Sequence, residues 1–357
     1  MTRLLVDARA LGDDSAYRGI GTYLRNVLTG IGASTKLQTS ALVLPDTMLP
    51  PGINRVEVRR RAPGRWAAGE HELLLPHDLR RVPTDVVHSP AQDPPARPPA
   101  PWVQTLHDVV PLEAGTPAER RRWRRAARRI RRASAVIAVS QWSARTGIVS
   151  LGLEPSRVHV IPHGVAEHFR PAQRREPAAP YVLFVGEYDP RKRHDLAFAA
   201  AGQLAEAGVP HRLVVAGRIA PWYEQQMHDL VATAPRPELI ELVGHVGEES
   251  LVDLYQQAAA LLVTSSAEGF GFPALEAMAC GTPVVAFRNS ATEEILGAAG
   301  TLVPDGDIAA MVKVLRGLLA DGRHWQEASA AALERAQEFS WAECVRRHIE
   351  IFTEVSA

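Results

Sequence analysis

The chain has 357 residues, which is long for one hydrophobic core and suits two domains of roughly 150–200 residues each. Hydrophobic residues make up 46% of it and charged residues 22%, as in ordinary globular proteins, and the formal net charge of +0 gives no argument for a nucleic-acid partner. There are 2 cysteines, Cys280 and Cys344, so a disulfide framework is excluded and a reducing cytoplasm is the expected compartment.

The start and the apolar runs of the chain carry no targeting or membrane signal. The first residues lack the apolar segment of a signal peptide. No apolar run approaches the ~20 residues that a membrane-spanning helix needs. Both observations favour a cytoplasmic protein.

Short apolar segments alternate with helical patterns along the whole chain, which predicts parallel β-α-β units. The strands of a first predicted sheet lie at 4–6, 40–44, 86–88, 103–106, 135–139 and 158–161. Those of a second predicted sheet lie at 181–185, 212–216, 240–243, 261–263 and 284–286. Between the two sets, the segment 171–180 is charged, proline-rich and without periodicity, which predicts a linker. The predicted fold class is therefore α/β, with two Rossmann-like domains over 1–170 and 181–339.

Two glycines follow the first predicted strand after a loop. Gly19 and Gly21 precede an amphipathic helical run over 24–31. Taken alone, such a pair is only weak evidence of a ligand-binding loop. Glycine pairs at helix starts are common, so the pattern alone is equally typical of a structural turn.

Two polar side chains directly follow predicted strands of the first sheet. His107 comes after the strand at 103–106, and Ser140 comes after the strand at 135–139. The position of His107 at a strand end makes it a candidate for a binding site. A single histidine after a strand is more often a buried structural residue, and the neighbouring motif has to decide between the two interpretations.

The segment 120–132 holds nine arginines. Its apolar and small residues follow the spacing of one helix face, and this stripe consists of Trp123, Ala126, Ala127, Ile130 and Ser134. A helix with one apolar and one basic face can lie on an anionic membrane surface or attract an anionic acceptor. The alternative is a solvated face on a helix that packs through its stripe. Nucleic-acid binding is not favoured, because neither interleaved aromatic residues nor a known module is present.

A second basic segment directly follows the first strand of the second predicted sheet. It reads Gly-Glu-Tyr-Asp-Pro-Arg-Lys-Arg over 186–193. Arg191 can grip phosphate with two hydrogen bonds, and Lys192 adds a point charge. Their position at the carboxyl end of a strand predicts a site for a phosphorylated ligand, with a solvated basic turn as the alternative.

The segment from Glu268 to Glu276 is the most informative one. It reads Glu-Gly-Phe-Gly-Phe-Pro-Ala-Leu-Glu, and it runs from a predicted strand into a helix that has Pro273 in its first turn. Free N–H groups at a helix start favour phosphate, whereas carboxylates repel phosphate and accept hydrogen bonds from hydroxyls. A nucleotide sugar carries both phosphates and hydroxyls and satisfies both requirements.

This segment, with the Glu-Ala-Met-Ala-x-Gly-x-Pro-Val-Val that continues it, resembles the E-x7-E signature of retaining GT-B glycosyltransferases of family 4. Four other segments resemble the same family: Gly19-Ile-Gly, His107-Asp-x-x-Pro, the serine segment at 140–143 and Pro-Arg-Lys at 190–192. The resemblance covers nearly the whole chain except the acceptor-facing part, roughly residues 45–100. It implies a GT-B fold, with two domains facing across a cleft and the helix at 340–357 returning to the first domain.

The resemblance also implies a function for each motif. The expected reaction moves a hexose, with retention, from a nucleotide-diphosphate donor to a hydroxyl acceptor, which corresponds to an EC 2.4.1-type hexosyltransferase. Expected catalytic residues are His107, Arg191, Lys192 and Glu268. Expected donor-binding groups are Gly19, Gly21, the amides of Phe270 and Gly271, and Glu276, which would hold the ribose. Ser140 would contact donor or acceptor in the cleft, whereas His163 is expected to be structural.

The sequence also bears on metal, donor and alternatives. No carboxylate pair with D-x-D spacing follows a strand, so neither a metal nor another cofactor is expected. The H-D-x-x-P and P-R-K forms resemble the mannosyltransferase-type branch, which makes GDP-mannose the first donor to consider. The acceptor stays open: a glycan, a lipid-linked sugar or a small molecule. Two alternatives also stay open, namely a GT-B sugar-nucleotide epimerase or hydrolase, and a non-catalytic nucleotide-sugar-binding protein.

Overall fold

A computed structural model describes residues 1–58, 79–91, 97–113, 115–173 and 180–357. The chain divides into two compact units, one formed by Met1–Gly164 with Ser340–Ala357 and the other by Val165–Phe339. Residues 165–170, which the sequence analysis placed in the first domain, thus belong to the second unit. Phe169 packs edge-on against Tyr255 with ring centroids 5.9 Å apart, and the Arg170 carbonyl accepts a hydrogen bond from Gln256. Positions 174–179 of the predicted linker lie outside the described residues.

The first unit contains a seven-stranded parallel sheet with the order β3-β2-β1-β4-β5-β6-β7. Its strands are β1 (Thr2–Asp7), β2 (Leu37–Val43), β3 (Asn54–Glu57), β4 (Val86–Ser89), β5 (Trp102–Leu106), β6 (Ala135–Ala138) and β7 (Val158–Val160). Its helices are α1 (Gly19–Gly32), α2 (Val110–Glu113), α3 (Pro117–Ile130), α4 (Gln141–Leu151) and α12 (Trp341–Ser356). β4, β5 and β6 are buried along their whole length, as expected for parallel strands covered on both faces.

The second unit contains a six-stranded parallel sheet with the order β10-β9-β8-β11-β12-β13. Its strands are β8 (Tyr181–Val185), β9 (Arg212–Ala216), β10 (Ile240–Gly244), β11 (Ala260–Val263), β12 (Val284–Phe287) and β13 (Thr301–Val303). Its helices are α5 (His194–Glu206), α6 (Glu224–Ala232), α7 (Glu248–Gln257), α8 (Phe272–Ala279), α9 (Thr292–Leu296), α10 (Ile308–Ala320) and α11 (Gly322–Ala336). The predicted pair of parallel Rossmann-like sheets is confirmed.

Helix α12 belongs to the first unit although 175 residues of the second precede it in the chain. Ser340 caps its start by accepting a hydrogen bond from the Glu343 N–H. Its apolar side chains recur every three or four residues and form one buried stripe. The stripe packs in the same core as β1 and α1, where Val345 lies so close to Gly30 that a Cβ there would come within 2.5 Å of it.

The order of strands places a switch point in each sheet. In the first sheet the chain moves outward from β1 through β2 to β3 and then returns to β4 on the other side of β1; in the second it moves from β8 to β10 and returns to β11. Loops that leave adjacent strands at such a point diverge and leave room for a ligand beyond the carboxyl ends. The topology thus points to the loops after β1 and β4, and to those after β8 and β11.

Candidate active site

At the switch point of the second unit, the loop after β8 and the loop after β11 are hydrogen-bonded into one structure. The Ser266 N–H donates to the Arg191 carbonyl at 2.8 Å, and the Thr264 hydroxyl donates to the Lys192 carbonyl at 2.8 Å. In return, the Arg191 guanidinium donates to the Ala267 carbonyl at 3.1 Å. The predicted basic segment and the approach to Glu268 are therefore fixed relative to each other.

Arg193 connects the loop after β8 with the loop after β11. Its backbone is left-handed, with φ 51°, which costs a non-glycine residue about 1–3 kcal/mol. Its guanidinium donates to the carbonyls of Thr264 and Ser265 at 2.8 and 3.0 Å and pairs with Asp305 at 2.5 Å. It also lies 5.0 Å above the ring of Phe287. These contacts offset the backbone cost and hold the turn Pro190–Lys192 in place.

Lys192 and Glu268, two predicted catalytic residues, form an ion pair. The Lys192 Nζ lies 2.6 Å from Glu268 Oε1, and only 14% and 11% of the two side chains is exposed. Burial alone would raise the pKa of Glu268, but the charges of Lys192 and Arg191 and hydrogen bonds from Lys192 and Ser265 outweigh it, so the pKa is lowered. Glu268 is thus ionised at neutral pH.

A small pocket opens beside this pair and ends at the start of α8. Lys192, Glu268 and Gly271 line it. Gly271 adopts φ 101°, a conformation that other residues rarely adopt, and Pro273 occupies the first turn of the helix. The pocket therefore combines one cation, one carboxylate and a helix N-terminus, the groups that the sequence pattern predicted for a ligand with phosphates and hydroxyls. The Phe270 ring lies in the core against Phe272 and Phe339, which leaves only its backbone for a ligand.

Glu276 lies further along α8. Its Oε2 accepts a hydrogen bond from the Tyr255 hydroxyl at 2.9 Å. Burial raises the pKa of Glu276 to about 7, although the Tyr255 hydrogen bond acts in the opposite direction. Its carboxyl group therefore titrates near neutral pH.

In the first unit, His107 follows β5 and is held in the neutral form. Burial lowers its pKa to about 4, although a hydrogen bond to the Pro90 carbonyl acts in the opposite direction. Its Nε2 is buried and has no hydrogen-bond partner among the described residues. A buried nitrogen with a free lone pair can accept a hydrogen bond from a ligand hydroxyl but cannot carry a proton at neutral pH.

Two family models match the chain over adjacent segments. The model for glycosyl transferases group 1 matches residues 165–338, and that for glycosyltransferase family 4 matches residues 41–169. The chain belongs to the GT-B glycosyltransferases. The motif resemblance noted in the sequence is thereby confirmed.

Named relatives of this GT-B chain agree with that assignment. It is 34% identical to D-inositol 3-phosphate glycosyltransferase 1 of Catenulispora acidiphila over 57% of the chain and 53% of that protein. It is 33% identical to O-antigen chain mannosyltransferase B of Escherichia coli over 48% of the chain and 45% of that protein. The chain thus spans about half the length of the curated relatives it matches. The structure of sucrose-phosphate synthase from Thermosynechococcus elongatus superposes with a TM-score of 0.85 over 99% of both chains, and at 20% identity this similarity concerns the fold.

The other first-unit residues expected from the GT-B motifs occupy structural positions. A Cβ on Gly21 would lie 2.2 Å from the Ala16 carbonyl oxygen, so the close packing of the preceding turn alone requires glycine there. Gly19 is the exposed first residue of α1. Ser140 is fully buried and caps α4 by accepting a hydrogen bond from the Ser143 N–H at 3.0 Å. Their contacts with donor or acceptor stay predictions.

Tyr23 organises a cluster of histidines that sequence reasoning missed. Its hydroxyl lies 2.8 Å from His348 Nε2, 3.2 Å from His88 Nε2 and 2.9 Å from the Thr105 hydroxyl. His107 packs edge-on against the Tyr23 ring at 5.1 Å, and the structural His163 lies 5.0 Å from it. These side chains come from segments far apart in the chain, so no local pattern predicts that they meet.

The arginine-rich helix α3 packs through its apolar stripe. Thr116 and Glu119 form a capping box at its start, and Trp123, Ala126, Ala127 and Ile130 are buried in the first-unit core. Ser134, predicted on the same stripe, is instead exposed, because the helix ends at Ile130. The apolar face is occupied by the protein itself, and the outward face is arginine-rich.

Within the described ranges, no group of three or more metal-binding side chains comes together. Asp305 and Asp307, from the Asp-Gly-Asp sequence after β13, serve other contacts, since Asp305 pairs with Arg193 and Asp307 caps α10. No helix in the described part of the chain is both long and apolar enough to cross a membrane.

Proposed function

We propose that this protein is a retaining glycosyltransferase that moves a hexose from a nucleoside-diphosphate donor to a hydroxyl of an acceptor. The observation that carries the proposal is the pocket at the start of α8, where Lys192, Glu268 and Gly271 meet. The cation and the helix N-terminus can bind the negative charge of a diphosphate, and the carboxylate can accept hydrogen bonds from the hydroxyls of a sugar. The acceptor is a glycan, a lipid-linked sugar or a small molecule.

Each site residue has a proposed part in donor binding. Arg191 and Lys192 hold the diphosphate together with the Gly271 and Phe270 amides, and Glu268 accepts hydrogen bonds from hydroxyls of the hexose. Glu276 accepts the ribose hydroxyls. Gly19 and Gly21 approach the phosphates from the first unit, and Ser140 contacts donor or acceptor.

The proposed reaction uses no side-chain nucleophile. The bond between the anomeric carbon and the diphosphate oxygen breaks, and its electron pair stays on the leaving oxygen, where Arg191 and Lys192 stabilise the charge. The acceptor hydroxyl attacks from the same face and gives its proton to that oxygen. His107 accepts a hydrogen bond from the hexose, in keeping with its neutral form.

GDP-mannose is the proposed donor. The motif forms at 107–111 and 190–192 support it, as does the similarity to a mannosyltransferase. The test is a thermal-shift screen with GDP, UDP, dTDP and ADP, because a ligand of the native state raises the melting temperature. GDP should give the largest shift; a larger shift with another nucleotide reassigns the donor, and no shift with any contradicts nucleotide-sugar binding.

Turnover is proposed to need no metal, since Arg191 and Lys192 supply the positive charge that a cation would otherwise bring. Activity with donor and acceptor should survive excess EDTA. Complete loss that manganese or magnesium restores would contradict this part of the proposal. Donor hydrolysis or epimerisation without any acceptor would identify a different GT-B enzyme, and binding without turnover across an acceptor panel would identify a nucleotide-sugar-binding protein.

A peripheral contact with an anionic membrane is proposed for the outward face of α3. Arg121, Arg124, Arg125 and Arg128 are exposed there and have no carboxylate partner among the described residues. Because the apolar stripe is buried, the contact would be electrostatic, without insertion. Both cysteines are buried and free, which supports a reducing compartment, and the cytoplasmic face of the membrane fits both features.

A further inference from the structure

Tyr255 lies in the interior directly behind Glu276. It belongs to α7, has 0% exposed surface, and donates its hydroxyl hydrogen to Glu276 Oε2 at 2.9 Å. Tyr255 therefore touches no solvent, and its hydroxyl faces the one carboxylate of this region that the proposed function assigns to the ribose.

The Tyr255 ring packs against one aromatic ring, and hydrogen bonds hold the chain around Tyr255. The Phe169 ring packs edge-on against it at 5.9 Å, and the Thr282 hydroxyl donates to the Tyr255 carbonyl at 2.5 Å. Gln256, the next residue, donates to the Arg170 carbonyl at 2.7 Å. A buried phenol with these neighbours restricts the orientation of the carboxylate to which it donates.

Tyr255 is also the one group in the described structure that donates a hydrogen bond to the Glu276 side chain. The other titratable groups near this carboxylate are Glu248, at the start of α7, and Cys280, just after α8. Glu248 disfavours the charged form of Glu276, and the buried Cys280 thiol, whose pKa is raised to about 12, stays neutral. No ion pair of Glu276 is present among the described residues.

We propose that Tyr255 is a positioning residue for nucleotide recognition, which orients the Glu276 carboxylate so that its remaining lone pairs accept the ribose hydroxyls. This inference rests on the proposed contact between Glu276 and the ribose. A carboxylate offers about four acceptor positions, so one bond from Tyr255 leaves room for two hydroxyls.

Loss of the phenol hydroxyl should act through the charge of Glu276. Without its donor the buried carboxylate is harder to ionise, and a protonated carboxyl group accepts hydrogen bonds poorly. The effect should therefore fall on the ribose hydroxyls, not on the phosphates, and it should weaken when the pH is raised. A purely structural role in packing α7 would weaken binding of all nucleotides to the same extent.

The test compares GDP with 2′,3′-dideoxy-GDP by titration calorimetry, or the ribonucleotide from the thermal-shift screen if GDP does not bind. Wild type should prefer the ribose form. Tyr255→Phe should reduce that preference by about 3–10-fold at pH 7, the usual worth of one hydrogen bond, and recover most of it at pH 8.5.

Tyr181→Phe is the matched control. Tyr181 is also buried, and its hydroxyl donates to the Leu254 carbonyl of the same helix at 2.8 Å without touching Glu276. This variant should leave the preference for ribose unchanged at both pH values, even if it loosens α7.

If Tyr255→Phe does not fold, a second variant tests the same hydrogen bond. Replacement of Tyr255 by 3,5-difluorotyrosine retains the ring and strengthens the donor, so the pH midpoint of the ribose preference should move down. The inference is overturned if Tyr255→Phe keeps the wild-type preference at every pH, if it weakens both nucleotides equally, or if the fluorinated protein shows no downward shift. If wild type binds neither nucleotide, or binds both equally, the failure lies in the proposed nucleotide or ribose site itself.

Discussion

The candidate residues at the pocket of the second unit are charged, whereas the histidines around Tyr23 in the first unit are neutral. In the second unit, Lys192 pairs with Glu268 at the pocket, and Arg193 pairs with Asp305 in the adjoining loops. In the first unit, the Tyr23 cluster contains histidines whose pKa values are all lowered by burial, so the cluster is neutral. The difference fits the proposed reaction, in which the second unit stabilises a charged leaving group and His107 offers only neutral hydrogen bonds.

The sharpest test of the charged site is Lys192→Ala. If Lys192 meets the charge that grows on the leaving diphosphate, turnover should fall about 10²–10³-fold, as when one such donor is removed from other active sites. The variant also leaves Glu268 without its ion-pair partner, so Glu268→Gln and the double variant should be measured in parallel to complete a double-mutant cycle.

The double variant should be no more active than Lys192→Ala, because restoring charge balance does not restore the cation. Lys313→Ala, at an exposed lysine of α10, serves as control and should retain wild-type turnover. A correctly folded Lys192→Ala protein within a few-fold of wild type would remove the lysine from the mechanism.

The second test concerns the other carboxylate of this unit. Glu276→Gln should weaken binding of the nucleoside diphosphate about 10–100-fold, since an amide accepts hydrogen bonds less well than a carboxylate. Wild-type affinity should decline as the pH falls below about 7, where Glu276 becomes protonated, and the variant should show no such decline. Titration calorimetry from pH 6 to 8.5 measures both.

The stability of the folded protein should depend on pH in the direction opposite to nucleotide affinity. The folded-state pKa of Glu276 is raised above its ordinary value of 4.5 to about 7, so the folded state binds more protons between these values and loses stability as the pH rises through that window. A glutamine at this position does not ionise, so Glu276→Gln should melt at a higher temperature than wild type at pH 8. Glu334→Gln, at an exposed site on α11, should alter neither affinity nor melting. Unchanged affinity of Glu276→Gln for the nucleotide would refute the ribose contact.

Acid should lower the unfolding free energy of the first unit, whose candidate site is neutral, more than that of the second unit. Burial lowers the pKa values of His107 and His348 to about 4 from the ordinary value of 6.5. The unfolded chain therefore binds more protons between these values, and the stability that is complete above pH 6.5 is lost as the pH falls toward 4. At pH 5 each of these histidines should cost about 2 kcal/mol of unfolding free energy.

Hydrogen exchange at pH 7 and pH 5, corrected for intrinsic rates, measures this loss separately in each unit. Amides of β1, β4 and α12 should lose protection more than those of β8 and β11, since in the second unit only His194 has a clearly lowered pKa among the described histidines. Equal losses of protection in both units would contradict the greater acid sensitivity expected of the first unit.

The smallest expected effect concerns α3. Wild type should co-sediment weakly with anionic phosphatidylglycerol vesicles and be released by salt, because exposed charges are screened within about 10 Å at 0.1 M. Replacing Arg121, Arg124, Arg125 and Arg128 by glutamine should abolish binding, at about 1 kcal/mol per arginine, without changing nucleotide affinity.

The control variant removes the same amount of charge from the second unit. Its four substitutions to glutamine are at Arg212, Arg236, Arg288 and Arg323, which all pair with carboxylates. It should bind the vesicles as wild type does. Equal sedimentation with neutral phosphatidylcholine vesicles, or none with anionic ones, would contradict the membrane contact and leave the arginine-rich face of α3 as a solvated surface.

Much of the fold could be predicted because the central strands are continuous apolar runs. β4, β5, β11 and β12 lie within one or two residues of their predicted positions. β3 and β13 were missed: both are short, with 4 and 3 residues, and exposed polar residues interrupt the apolar pattern of β3.

The charged part of the site could be predicted for a similar reason. Arg191, Lys192 and Glu268 lie in short motifs at strand ends, and the topology brings the two loops together. Tyr255 and the Tyr23 cluster could not be predicted, because their contacts join residues from 21 to 325 positions apart. Arg193 adjoins a predicted motif, but its role depends on a left-handed backbone that sequence does not reveal.

The placement of α12 has a consequence for biosynthesis. During translation, the first 164 residues leave the ribosome long before the helix that completes their core, and the whole of Val165–Phe339 is made in between. The second unit can therefore fold first, whereas β1 and α1 keep an apolar groove uncovered until Cys344, His348 and Phe352 arrive. The first unit is thus the part of the nascent chain that chaperones would have to shield.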